Sequence, residues 1–226
     1  MKSLLVTLFI LSSLSVRSEV FKKEKLVSLN EIHPTQAFIG LDQIPDKVRK
    51  ILKKYKKDSL DNYLKEKWTP AILGPDQKYW IIDHHHLSFA LLKADIPKEK
   101  KRLYLKIIHD WSNKNWNTFA QEMEREKFLY LKDDNFNTLN FQDIPENIES
   151  LKDNPYRSLA YFAREEGCFD KVDIPFLEFT WAEFFYLQSI RINSDRNYQR
   201  ALKAALKLCH SSEASNLPGF KEKIIP

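Results

Sequence analysis

Residues 74–93, GPDQKYWIIDHHHLSFALLK, change their hydrophobic period halfway along. Gly74, Pro75 and Asp76 signal a turn, and Tyr79, Trp80, Ile81 and Ile82 follow as an apolar run. After the polar knot Asp83-His84-His85-His86, the residues Leu87, Ala90 and Leu91, with Phe89 beside them, recur at helical spacing. The stretch is therefore predicted to be strand, tight junction and helix, and the rest of the chain is read around it. Half of the 6 histidines sit at that junction. A helix start offers unpaired backbone N–H groups and a partial positive charge, which favours an anion. Asp83 would cap the helix or act as a base. The imidazoles would donate to a phosphate or carboxylate, carry a proton near neutral pH, or bind a metal.

The 226 residues suffice for one large or two small domains. At 43% hydrophobic and 13% aromatic the chain can bury a core, and 30% charged residues mark a globular protein. With 4 glycines in all, Gly-rich phosphate loops of the Walker or Rossmann type are excluded. The formal net charge of +5 is spread among 31 acidic residues, too small an excess to imply nucleic acid. Cys168 and Cys209 allow one disulfide and no disulfide scaffold, and a zinc site of the usual Cys/His spacing is missing.

Residues 1–18 read as a secretory signal: Lys2, a short apolar core, then Val16-Arg17-Ser18 before a cleavage point at Glu19. Its apolar core is too short to span a bilayer, so no membrane span is expected in the mature chain. Removal of Lys2 and Arg17 lowers the positive excess further. Secretion or a periplasmic location is expected, and an oxidising space favours a Cys168–Cys209 bridge. Residues 19–135 are expected to form an α+β domain. It opens with a strand pattern at 25–32 broken by Pro34, and helices follow within 43–66, restarting at Asp58-Ser59. Strands are predicted at 69–73 and 102–108, a helix at 113–127 with Trp116, Phe119 and Met123 inward, and a strand at 128–131. The turn-rich zone 132–155 marks a boundary. A helical subdomain, 136–226, is expected beyond it and packed on the first. Its helices are predicted after Asn154-Pro155, over 179–193, and after a cap at Ser194. The lysine-rich face of 47–57 is read as solvated.

Four blocks in this order, HPTQAFIG (33–40), PAILGPDQKYWIIDHHHL (70–87), DNPYRSLAYFAREEG (153–167) and PFLEFTWAEFF (175–185), resemble the "putative ParB-like nuclease" family of the ParB/sulfiredoxin superfamily. The resemblance spans residues 25–220. It implies a ParB/sulfiredoxin-like α+β domain with a small mixed sheet, to which the helical C-terminal subdomain is added. It also implies that the junction at 83–86 is a phosphate pocket, where relatives hold CTP, ATP or another adenine nucleotide. On the Asp-Gly-His-His-Arg pattern of the superfamily's serine kinases, Asp83, His85 and His86 match. His84 stands in place of the glycine and Leu87 in place of the arginine, which removes a bidentate phosphate donor. Sulfiredoxin chemistry needs a cysteine within the motif, and none is there. No partitioning-type helix-turn-helix is legible, so "nuclease" is a fold-level word.

The candidate catalytic residues are Asp83, His85 and His86. The candidate ligand-binding residues are Thr35, Gln36, Gly40, His84 and Arg157. For the histidines an anion site, a metal site completed by Asp83 or Glu31, and a structural junction all remain open. Thr35, Gln36 and Gly40 either orient a ligand or form a turn. Arg157 falls in the first turn of a predicted helix, an unfavourable place for a cation. It therefore calls for a partner: a carboxylate such as Glu178 or Glu183, or a ligand anion. Trp181, Phe184 and Phe185 read as core. The expected function is binding of a phosphate- or carboxylate-bearing small molecule, with phosphotransfer or hydrolysis as its chemistry. The alternatives are a noncatalytic binding module and a nuclease or DNA-binding protein. The cofactor is left open between a nucleotide and a divalent metal.

Overall fold

The computed structural model describes residues 23–193 and 196–222. In chain order they form β1 (Lys23–Ser28), β2 (Ile32–His33), β3 (Phe38–Ile39), α1 (Ile44–Lys56), α2 (Leu60–Glu66), β4 (Thr69–Leu73), β5 (Tyr79–Ile81) and α3 (His85–Lys93). Then come β6 (Arg102–Asp110), α4 (Trp116–Arg125), β7 (Lys152–Asp153), α5 (Pro155–Glu165), α6 (Leu177–Leu187) and α7 (Gln199–Leu208). Five strands make one sheet in the order β1-β6-β4-β5-β2, and β3 pairs with β7 in a second. β1 with β6 and β4 with β5 run antiparallel, whereas β4 with β6 and β5 with β2 run parallel. The sheet is mixed and the fold class is α+β, as expected.

Side-chain alternation along β4 and β5 explains why this sheet is covered on both faces. Opposite partners Ala71 and Ile81 face α1, α2 and α3, in a core with Ile51, Leu64, Leu91 and Leu105. Their neighbours Ile72 and Trp80 face the other way, onto Phe119 and Met123 of α4 and onto Ile144. Gly74 makes the turn between β4 and β5 because a side chain there would strike the Trp80 indole, 2.6 Å from where its Cβ would lie. A third core holds α5, α6 and α7 together around Leu159, Trp181, Phe185 and Ala205. Cys168 and Cys209 are bonded inside it, with Cα atoms 5.5 Å apart. Phe136 packs in this third core, while Ile148 and Leu151 pack in the first. The zone around residue 140 is thus shared between the two halves. β3–β7 pairing and contacts of Asp42 with Arg196 and Tyr198 also join them.

Several local expectations are corrected. α4 starts later than 113 because Asn115 caps it, its side chain accepting from Thr118 N–H at 2.9 Å. Lys127, in the left-handed region at φ 58°, closes that helix. Trp116 is 47% exposed rather than inward, since it stands in the first turn ahead of the stripe formed by Phe119 and Met123. The strand expected at 128–131 is reduced to a single bridge, Gln36 with Tyr130. α6 begins two residues before Phe179 and ends at Leu187, short of Asn193, where Ser189 turns left-handed at φ 58°. Ser194 lies outside the described residues, and the residue that caps α7 is Tyr198. The expected signal at 1–18 also lies outside them. Among the described residues no helix is long and apolar enough to cross a membrane.

Candidate functional site

The change of period at 83–86 places the start of α3 at the end of β5, against the loop that links β2 to β3. Asp83 is exposed and does not cap the helix. Its Oδ1 accepts the N–H of His84 at 2.6 Å, one position too early. The capping position is His84, held left-handed at φ 65° and ψ 21°, with its Nδ1 3.2 Å from Thr69 Oγ1. A non-glycine residue there costs roughly 1–2 kcal/mol. No side chain caps α3, and its first bond runs from Ser88 N–H to His84 O. The N–H groups of His85, His86 and Leu87 therefore stand ahead of the helical ladder.

His85 and His86 are used differently from the way the sequence suggests. His85 Nε2 accepts the N–H of Thr35 at 3.1 Å, and His86 Nε2 accepts the N–H of Gly40 at 3.1 Å. An imidazole nitrogen that accepts a backbone N–H carries no proton, so each ring is a neutral tautomer with its hydrogen on Nδ1. Burial pushes the His85 pKa down to about 4. Burial and then the Arg157 charge hold His86 well below the usual value, and burial lowers His84 as well. For His85 and His86, burial and an Nε2 that accepts a backbone N–H both disfavour the proton near neutral pH that the sequence reading allowed.

Thr35 and Gly40 act from behind. Thr35 is fully buried and donates through Oγ1 to Ile81 O at 2.9 Å. Gly40 leaves room for α5, because a Cβ there would lie 2.6 Å from Ser158 Oγ. Gln36 borders the cleft in front, but its Nε2 donates to Phe38 O at 2.6 Å.

Arg157 enters from α5. Asn154 caps that helix, its side chain accepting the N–H of Arg157 at 3.0 Å, and Pro155 opens it. The Arg157 side chain is buried at 9% exposure. One guanidinium nitrogen, Nη2, lies 3.5 Å from Glu178 Oε2 and the group lies over the Phe179 ring at 5.3 Å, whereas Nε and Nη1 have no hydrogen-bond partner among the described residues. Glu178 is shared, since Arg164 pairs with it more closely. Burial alone would raise the Glu178 carboxyl, but Arg157 and Arg164 outweigh it and hold the pKa below the usual range. Glu183, the other partner considered, pairs with Lys132 at 2.5 Å.

These groups open on one cleft of about 670 Å³. Its inner cations are Lys47, Arg157 and Arg164, against the carboxylate of Glu178 and that of Glu165, which pairs with Arg164 at 3.0 Å. At the exposed rim Lys127 and Lys171 balance Asp83 and Asp173. Burial first, then the charges of Arg157 and Arg164, lower the Lys47 pKa, with Glu165 acting the other way. Gln43 adds a buried Nε2 with no partner among the described residues. Val172, Ile174 and Phe176 form an apolar wall, faced by Ile82 and Phe128. Of the sequence candidates, Asp83, His84, His85, His86, Gln36 and Arg157 line the cleft; Thr35 and Gly40 do not. Gln43, Lys47 and Arg164 were missed as site residues. Arg164 carried a signal, since it falls seven residues after Arg157, two helical turns along the same face. Among the described residues, no group of three or more His, Cys, Asp or Glu side chains could hold a metal ion.

Comparison with known proteins gives a family and a structural relative. The family model described as "Putative ParB-like nuclease" matches residues 25–187. The structure titled "Crystal structure of protein Atu1540 from Agrobacterium tumefaciens" superposes with a TM-score of 0.74 at 29% identity, covering 88% of this chain and 98% of that one. No curated protein matches.

Proposed function

Because this chain belongs to the ParB-like family described as "Putative ParB-like nuclease", we propose that it is an exported protein that binds a small phosphate- or carboxylate-bearing molecule in the cleft between α3 and α5. One observation carries the reading: Arg157 is buried with Nε and Nη1 unpartnered and faces the cleft. A buried guanidinium with unused donors is costly, and an oxyanion is the partner that would satisfy it bidentately. The uncapped start of α3 supplies backbone N–H groups to the same space. Arg157 thus takes the role of the arginine that Leu87 replaces in the motif. His85 braces the loop that links β2 to β3 and His86 braces Gly40 just after β3, and each has only Nδ1 left to offer an anion. If chemistry follows binding, Asp83 is the exposed carboxylate at the rim to act as its base. The export rests on residues 1–18, and the buried Cys168–Cys209 bond supports it.

The family's description names a nuclease. A metal-dependent nuclease would require metal-held carboxylates and histidines, and among the described residues the donor set does not gather them. Thermal unfolding of the whole chain against phosphate, ATP, CTP, divalent cations and short DNA tests the proposal. A ligand at about 100 times its dissociation constant stabilises by roughly 2.7 kcal/mol. The expected result is a shift with an anionic small molecule that Arg157→Met abolishes. No shift with any anion overturns the reading. A shift with DNA alone, steeply lost with salt, replaces it with the nucleic-acid alternative.

A further inference from the structure

We infer that the outer face of the α1–α2 hairpin docks on an anionic lipid surface. The inference is independent of the cleft's ligand, because Lys47, the cleft residue within the hairpin, is not needed for it. It starts from where the charge lies. Residues 46–67 hold nine lysines and arginines against four carboxylates, an excess as large as the +5 of the whole chain. The remaining residues therefore balance, and the positive field of the protein is concentrated on one helical hairpin.

The hairpin has an inside and an outside. Ile44 and Ile51 of α1 and Leu60 and Leu64 of α2 are buried in the first core, with Val48, Leu52 and Tyr55 packed against it. Helical period places Arg49, Lys50, Lys53 and Lys56 on the opposite arc, Lys57 follows them, and all five are exposed. Asp58, left-handed at φ 50°, turns the chain back into α2. Two of the four carboxylates are already engaged, Asp46 with Arg49 and Asp61 with Lys100 and Arg102. Lys50, Lys53, Lys56 and Lys57 make no ion pair among the described residues.

Two features favour a bilayer over a nucleic acid. Eight of the nine cations are lysines, point charges without the planar fork that reads phosphates and base edges, and the one arginine is taken by Asp46. Such a set suits a diffuse negative surface, as polybasic clusters on amphipathic helices do. The aromatic rings of the hairpin are also not open stacking platforms. Tyr63 is half-buried with Lys50 and Lys54 over its ring at 5.2 and 5.6 Å. Trp68, 43% exposed just past α2, has Lys106 over its ring at 4.0 Å. A tryptophan beside cations is at home in the headgroup region of a membrane. Because the apolar stripe of α1 is buried in the core, the attachment is electrostatic and peripheral.

Cosedimentation of the whole chain with phosphatidylglycerol vesicles in low salt tests this. Binding is expected there and not to phosphatidylcholine vesicles. Salt at about 1 M, where the Debye length is about 3 Å, should release the protein. Lys53→Gln, Lys56→Gln and Lys57→Gln combined should weaken the partition roughly a hundredfold. Arg200→Gln, Lys203→Gln and Lys207→Gln combined remove the same charge from exposed positions of α7 and should change it by about threefold or less. Both triples alter exposed side chains only, and far-ultraviolet dichroism checks that the fold is kept. Equal loss in the two triples means that binding follows net charge rather than this face, and overturns the inference. Equal binding to phosphatidylcholine, which the apolar run within residues 1–18 would cause, overturns it as well, as does no binding to phosphatidylglycerol. Binding of short duplex DNA without vesicle binding assigns the face to nucleic acid instead. None of these outcomes touches the anion-binding reading of the cleft, which Arg157→Met tests separately.

Discussion

Two helix starts face the same cleft, and they are built in opposite ways. At the start of α5, Asn154 caps the helix, Pro155 fills the first position, and the segment satisfies its own backbone. What it delivers to the cleft is a side chain, the Arg157 guanidinium. At the start of α3 no side chain caps, the capping residue is left-handed, and the histidines turn away to accept N–H groups from a distant loop. What it delivers is backbone. One start is locally complete and contributes a charge. The other is locally incomplete and contributes unpaired donors. A ligand that needs both must lie between them, and perturbing either start should give a different signature.

The largest stability effect is expected at α3 and is driven by pH. The His85 pKa falls from 6.5 to about 4 on folding, so the native state binds fewer protons than the unfolded one in that interval. The stability tied to neutral His85 is fully present above pH 6.5 and is lost as the pH falls towards 4, by about 3 kcal/mol for a shift of this size. His86 and His84 are shifted the same way and add to the slope. Chemical denaturation as a function of pH should show the loss, and His85→Gln, which keeps an acceptor for the Thr35 N–H without titrating, should flatten it. An unchanged slope in that variant would mean that the α3 start is not where the protons are taken up.

The complementary expectation at α5 concerns binding. Arg157→Met removes the charge but leaves Glu178 paired with Arg164, so the fold should change by about 1 kcal/mol or less. Anion affinity should drop at least about a hundredfold, because charge-assisted hydrogen bonds from two unpartnered nitrogens are lost. A variant that lost stability and kept affinity would reverse the roles assigned to the two starts.

The two starts were not equally legible. Asn154-Pro155 announced α5 directly, and a cation in its first turn was odd enough to ask for a partner, which the structure supplies in Glu178. The strand at 69–73 and the turn at Gly74 were legible too, because period-2 alternation and turn chemistry are local. The use of the histidines was not. Their acceptor bonds reach Thr35 and Gly40 across 50 and 46 residues, and no local pattern encodes them. Gln43 and Lys47 were hidden for the same reason. Gln43 immediately precedes α1 and Lys47 is its fourth residue, and only the packing of that helix on α3 brings them to the cleft. Trp116 misled because its spacing fits the α4 stripe although its turn lies beyond the core.

Removing the α5 cap should have a smaller effect that is purely structural. Asn154→Ala takes away the acceptor for the Arg157 N–H at a fully buried position, a loss of roughly 1–2 kcal/mol. Denaturant midpoints would give the number. Affinity measured well below the unfolding transition should be nearly unchanged. If affinity fell as far as in Arg157→Met, the guanidinium would depend on the cap for its aim, and α5 would not be the self-sufficient start it is taken to be.

The smallest effect isolates the backbone of the α3 start. Truncating His84 removes its contact with Thr69 whatever replaces it, so a single variant mixes two causes. His84→Ala and His84→Gly share that loss and differ at φ 65°, where alanine meets the left-handed penalty and glycine does not. Glycine should therefore be the more stable of the pair by about 1 kcal/mol, less whatever entropy it gains in the unfolded chain. The junction holds a left-handed residue just before the histidines that reach back to Thr35 and Gly40. If alanine were instead the more stable of the two, the α3 start would have relaxed out of that conformation. The unpaired N–H groups on which the contrast with α5 depends would then no longer be presented to the cleft.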